Sequence, residues 1–129
     1  MDEKMLLDLQ VLERKKYNYL NDVMDISQQL AAAMDRNDQV SVRMLVAMRH
    51  DPLLQLEEIK HNLNRRLQEF SPADQELARQ LLQGEGGASP REQAVADQAG
   101  TNRRLLERII ELDHRLNRRL TGDKSYYSK

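Results

Sequence analysis

From about Glu3 to Asp35 the residues Met5, Leu9, Leu12, Tyr19, Val23, Ile26, Leu30 and Met34 recur three or four positions apart, with no glycine or proline between them. That period marks one face of an α-helix. At about 1.5 Å per residue such a helix would be roughly 50 Å long, which commits the chain to an elongated helical architecture. Lys16 and Ser27 interrupt the stripe. A lysine can lay its methylene stem along apolar neighbours while its ammonium reaches water, so Lys16 reads as an edge residue rather than a catalytic amine.

Asp35-Arg36-Asn37-Asp38 is a compact polar break, and Asn37 or Asp38 can cap a second helix through its side-chain oxygen. That helix, over about 38–70, carries Val42, Leu45, Arg49, Leu53, Leu56, Ile59, Leu63, Leu67 and Phe70 at helical spacing. Pro52 falls inside it. Lacking an amide proton, it either kinks the helix or restarts it behind Asp51, and the nearly continuous phase of the pattern favours the kink. Ser71-Pro72-Ala73-Asp74 opens a short helix over 72–82 with Leu77, Ala78, Leu81 and Leu82 on one face. Gln83 to Ala88 concentrates three of the five glycines and reads as a mobile loop. Ser89-Pro90-Arg91-Glu92 then sets serine at the cap, proline at the first helical position and glutamate three residues on. The last helix should run over about 90–120, with Gly122 as its left-handed cap and 123–129 as a flexible polar tail. The expected fold is all-α: an elongated antiparallel bundle or coiled coil of three main helices and one short helix, in a single domain over 1–122.

Composition narrows the function classes. Of 129 residues, 40% are hydrophobic and 4% aromatic, enough for one modest core. There is no cysteine, hence no disulfide and no thiolate chemistry, in keeping with a cytoplasmic location. Twenty basic and twenty-one acidic residues leave a net charge of -1, so no overall field favours nucleic acid or an anionic membrane. The longest uninterrupted apolar run, Leu30 to Met34, is too short to span a bilayer, and the acidic start lacks the basic flank of a signal peptide.

Two Glu-x-x-His pairs, Glu58/His61 and Glu111/His114, invite a di-iron reading. At about 100° per residue both pairs fall well away from the apolar stripes of their helices, so they should face solvent rather than a bundle interior. His50 is the only other histidine. No Gly-x-Ser-x-Gly turn is present, and Gly84-Glu85-Gly86-Gly87 lacks the Lys-Ser or Lys-Thr of a phosphate loop. The chain therefore reads as a non-enzyme without cofactor or metal. Asn-Arg-Arg-Leu occurs at 64–67, 102–105 and 117–120, yet from Pro90 to Leu120 seven arginines interleave with five acids. Such mixing is a solvated helix face rather than a phosphate track.

The last helix carries more apolar surface than one neighbour can cover. Beside the stripe Leu105, Ile109, Leu112, Leu116 and Leu120 runs a second row, Ala99, Leu106 and Ile110. The short helix, a second copy of the chain or a partner segment could cover it. Met24, Met44 and Met48 flank their own stripes, where a thioether either fills core gaps or adapts to a partner.

A long helix, a polar turn with Asp38, a second helix with Leu45, Arg49, Leu53 and Leu56, and a final helix bearing Asn102-Arg103-Arg104-Leu105-Leu106-Glu107 followed by Ile110 resemble the FlgN-like flagellar export chaperones over nearly the whole chain. What the resemblance implies is a small cytoplasmic protein that holds hook-filament junction proteins before export, prevents their premature assembly and passes them to the flagellar export gate. The client site it implies is Asn102, Leu105, Leu106, Ile109, Ile110 and Leu112. In the tail, Tyr126 and Tyr127 are two of the five aromatic residues and could dock the export gate. The rival reading is a structural homo-oligomer, a homodimer for instance, in which the same faces pair with identical copies.

Overall fold

The structure is a computed structural model and describes residues 1–122, with side chains through Leu120. Its elements are α1 (Glu3–Asp35), α2 (Gln39–Gln68), α3 (Pro72–Leu82) and α4 (Pro90–Gly122), and no strand occurs among the described residues. The all-α expectation holds, with boundaries within about two residues of those read from the sequence.

Local chemistry accounts for each junction. Asn37 adopts a left-handed conformation (φ 56°) after α1. The Asn37 amide donates to the Met34 carbonyl at 3.0 Å and the Asp38 amide to the Ala33 carbonyl at 2.9 Å, the double bond of a Schellman end. Asp38 then caps α2, accepting from the Ser41 amide at 3.1 Å and the Ser41 hydroxyl at 2.6 Å. Those two bonds, with Arg36 nearby, hold its carboxyl below the ordinary aspartate value. Ser71 caps α3 through the Asp74 amide at 3.2 Å, and Ser89 caps α4 through the Glu92 amide at 3.1 Å. α2 runs through Pro52 as one helix, with the proline buried, rather than restarting behind Asp51. Gly122, expected beyond the last helix as its cap, is instead the final residue of α4. One glycine costs a helix only about 1 kcal/mol, and the packing of Leu116 and Leu120 in the turns before it offsets that. Tyr126 and Tyr127, with the rest of 123–129, lie outside the described residues.

α1 is the helix on which the others assemble. α2 runs antiparallel to it, with Arg66 3.4 Å from Asp8 at one end and Val42 packed with Met34 at the other. α4 runs parallel to α1, as the pairs Arg91–Glu3 (3.0 Å) and Arg119–Asp35 (2.7 Å) show. α3 lies against α4 and, more lightly, α2. Among the described residues no Cα of α2 comes within 8 Å of one in α4, and none of α1 within 8 Å of one in α3. The cross-section at that end is thus a square, with α1 diagonal to α3 and α2 diagonal to α4. α3 is the short fourth helix.

A close backbone contact seats it. Gly84, with φ 85°, follows α3 in a second Schellman end, its amide bonding the Leu81 carbonyl at 2.9 Å and the Glu85 amide the Gln80 carbonyl at 3.0 Å. A Cβ on Gly84 would fall 3.0 Å from the Gly100 Cα of α4. The glycine-rich segment, read as a mobile loop, is in addition tied by Ala88 to Glu92 (3.1 Å) and by Arg103 to the Gln83 carbonyl (3.4 Å). All three glycines of the segment take positive φ, and Gly84 and Gly87 also approach α4 closely.

Candidate functional site

α3 fills the fourth position of the bundle only over the first turns of α4, and beyond Gly100 that position is open. What remains is a trough, walled by α2 and α4 and floored by α1. It begins at a hollow of about 210 Å³ lined by Lys16 and Leu20 of α1, Leu56, Ile59 and Leu63 of α2, and Leu106 of α4. Two exposed apolar residues continue the walls outward: Ile110, 46% exposed, one turn beyond Leu106, and Leu53, 40% exposed, one turn before Leu56. Farther along, Arg49 of α2 bridges to Asp113 of α4 at 2.7 Å, and Leu45 packs in one cluster with Leu116 and Leu120. Long side chains span the gap there because the backbones are too far apart to close it.

Apolar walls edged by Glu57 and Lys60 suit an amphipathic helix with anchors three and four residues apart. From Leu63 to Leu53 of α2, short of the Arg49–Asp113 bridge, the trough could seat roughly 15 Å of such a helix. Glu58, His61, Glu111 and His114 are exposed, as their phase predicts, and no group of three or more His, Asp or Glu among the described residues could hold a metal ion. No helix of the described residues is long and apolar enough to cross a membrane.

The six residues that sequence reasoning assigned to a client site do not lie together on the surface. Ile110 is exposed and Leu106 half-buried at the trough wall, and Leu112 is half-buried between the clusters that α1 and α2 form with α4. Leu105 and Ile109 are buried against Leu20, Val23 and Met24 of α1. Asn102 is 0% exposed. Its Nδ2 donates to the Glu13 carbonyl at 2.8 Å and to Glu13 Oε1 at 3.1 Å, while its Oδ1 accepts from Gln98 Nε2 at 3.3 Å. In this conformation Asn102, Leu105 and Ile109 are closed to any client, because α1 already occupies the face they share. Their contribution is to hold α4 at the phase that leaves Leu106 and Ile110 free.

Sequence reasoning did not single out Leu53 and Leu56 as a wall of α2, because they read only as members of one helical stripe. The signal was present in the adjacent Leu53 and Leu54, which one helix cannot turn to the same interior, and both are exposed. Glu13 was missed as well; its carboxylate is buried, and Oε2 has no hydrogen-bond partner among the described residues. The methionines divide: Met24 is core, whereas Met44 and Met48 are exposed on α2. Comparison with family models, with curated proteins and with solved structures finds no match.

Proposed function

We propose that the protein is an export chaperone of the flagellar type III pathway, which holds a terminal helical segment of a hook-filament junction protein in the trough between α2 and α4. The observation that carries this reading is the unfilled fourth-helix position, continuous with the seat that α3 already occupies and lined by Leu53, Leu56, Leu106 and Ile110. A client helix there would complete a four-helix cross-section. Covering the exposed part of those four side chains is worth roughly 1 kcal/mol each, enough for reversible capture and compatible with hand-over. The sequence resemblance supplies the pathway and the class of client. The trough supplies the mode, helix in groove, with no bond made or broken. Tyr126 and Tyr127 are the proposed contact with the export gate, and a cytoplasmic location belongs to the same proposal.

The test is binding of the terminal segments of hook-filament junction proteins to Leu106→Glu and Ile110→Glu variants. Ile110 is exposed, so Ile110→Glu should keep its helicity and melting behaviour, whereas Leu106, half-buried against the cluster of Leu20, Val23 and Met24, should lose some stability on substitution while staying helical. Burying an unpaired carboxylate under a docked helix should weaken binding by several kcal/mol. Wild-type affinity in folded variants would place the client elsewhere.

A further inference from the structure

The face of α1 and α2 turned away from the trough carries a second, unrelated pattern. At one end Leu7 and Val11, one turn apart on α1, are 44% and 48% exposed. They line two adjoining hollows of about 580 and 320 Å³. Around them stand five cations, Arg14, Lys15, Arg65, Arg66 and Arg91, against only two carboxylates, Asp8 and Glu69. Arg66 is paired with Asp8 and Arg91 with Glu3, but Arg14, Lys15 and Arg65 form no ion pair among the described residues. This local positive excess arises in a chain whose net charge is -1.

Beyond the middle of the face, the exposed carboxylates Asp22 and Asp51 are accompanied by one exposed cation, Arg43. Val40, Met44, Ala47 and Leu54 follow one another at three-, four- and seven-residue spacing on the outer side of α2, all exposed, with the exposed Asp51 in the same row. On α1, Asp22 lies seven residues, or about two turns, beyond Lys15 and shares its exposed stripe. One end of the face is apolar and basic, its middle carries the carboxylates Asp22 and Asp51, and its far end is an apolar row with Arg43 beside it.

We propose that this face is a self-complementary interface between two copies of the chain related by a two-fold axis. In it, Met44, Asp22 and Asp51 of one copy cover Leu7, Val11 and Lys15 of the other. A two-fold interface requires that whenever residue i meets j, j meets i, and an antiparallel pairing of two such polar faces meets that requirement twice over. Two helices side by side, each about 10 Å across, over the roughly 40 Å from Val40 to Arg66 offer on the order of 800 Å² per copy, the usual size of a stable interface. A phosphate backbone or an anionic membrane would use the basic end but would leave the apolar row of α2 uncovered and meet Asp22 and Asp51 at mid-face. The proposal is independent of the client reading, since the trough stays open in such a dimer.

Sedimentation velocity on the full chain, from about 1 to 200 µM protein in about 50 mM salt where charge pairs are weakly screened, is the test. The expected result is a concentration-dependent doubling of the 15.1 kDa mass. Val11→Glu and Lys15→Glu should each raise the dissociation constant about tenfold or more without loss of helicity, and the double variant Lys15→Glu/Asp22→Lys should recover much of the loss. A monomer at every concentration, or a dimer indifferent to both single variants, overturns the proposal. So does a dimer abolished only by Leu106→Glu, which would place the interface in the trough. Binding of the monomer to phosphatidylglycerol vesicles or an oligonucleotide, lost in Lys15→Glu, would equally overturn it in favour of an anionic partner.

Discussion

Asn102 sits in one of three identical Asn-Arg-Arg-Leu stretches, and the three fare differently in the fold. Asn64 and Asn117 are exposed, whereas Asn102 is sealed against Glu13. The tetrapeptide alone could not reveal this, because burial depends on the phase of each helix against its neighbour. The buried pair makes a sharp prediction. Asn102→Ala leaves the Glu13 carboxylate without its donor and should cost about 1–3 kcal/mol of stability in chemical denaturation. Replacing both, Glu13→Leu with Asn102→Leu, should restore wild-type stability or exceed it, since the polar groups then leave the interior together. Equal losses in the single and double variants would show that the pair is not coupled. Glycines make a second contrast. Gly84→Ala forces an L-residue into φ 85° and sets its Cβ 3.0 Å from Gly100 Cα, so a loss of roughly 1–2 kcal/mol is expected. Gly100→Ala, whose Cβ would meet only the flexible Arg104 tip at 3.4 Å and Gly84 Cα at 3.8 Å, should be neutral or gain a few tenths of a kcal/mol from helix propensity. Thermal melts of the two variants distinguish these outcomes.

Among the elements, the turn between α1 and α2 was legible and the partition of the helix faces was not. Asp38 could be read as a cap because an Asp before an apolar-periodic run has one obvious use. Its depressed carboxyl value, caused first by the Ser41 hydroxyl and then by the Ser41 amide, carries a pH dependence. The contribution is fully present above the unfolded value of 3.8 and fades as pH falls through the lower folded value. Asp38→Asn should therefore melt earlier than wild type at neutral pH, and the gap should narrow as the pH drops below about 4. A gap that widens in acid would contradict the assignment. The apolar residues of α1, by contrast, read as one stripe, while the helix serves two neighbours at once: Tyr17, Leu20 and Glu13 lie toward α4, whereas Asp8 lies toward α2. Periodicity marks which residues are apolar, but it does not say where one interface ends and the next begins. The same blindness left Leu53 undistinguished within its stripe and the second row of α4 ambiguous. In the fold that row is divided, with Ala99 buried, Leu106 half-buried and Ile110 open.

At the scale of the whole molecule, the governing fact is that three long helices share a square cross-section with one short one. α3 has 11 residues where its neighbours have 30 or more, so the fourth position is filled at one end and open beyond it as far as the Arg49–Asp113 bridge. A chain evolved only to be a stable bundle gains nothing from leaving Leu53 and Ile110 in water. A chain that receives a helix does. The proposed chaperone function therefore stands or falls on occupancy of the trough, and site-specific photo-cross-linking measures that directly. A photoreactive residue is placed at Ile110 in one variant and at Val11, on the opposite face, in another, and each is irradiated with a terminal segment of a hook-filament junction protein. Adducts to that segment are expected from position 110 and none from position 11. Adducts from position 11, or none from position 110 while the segment is bound, would contradict it.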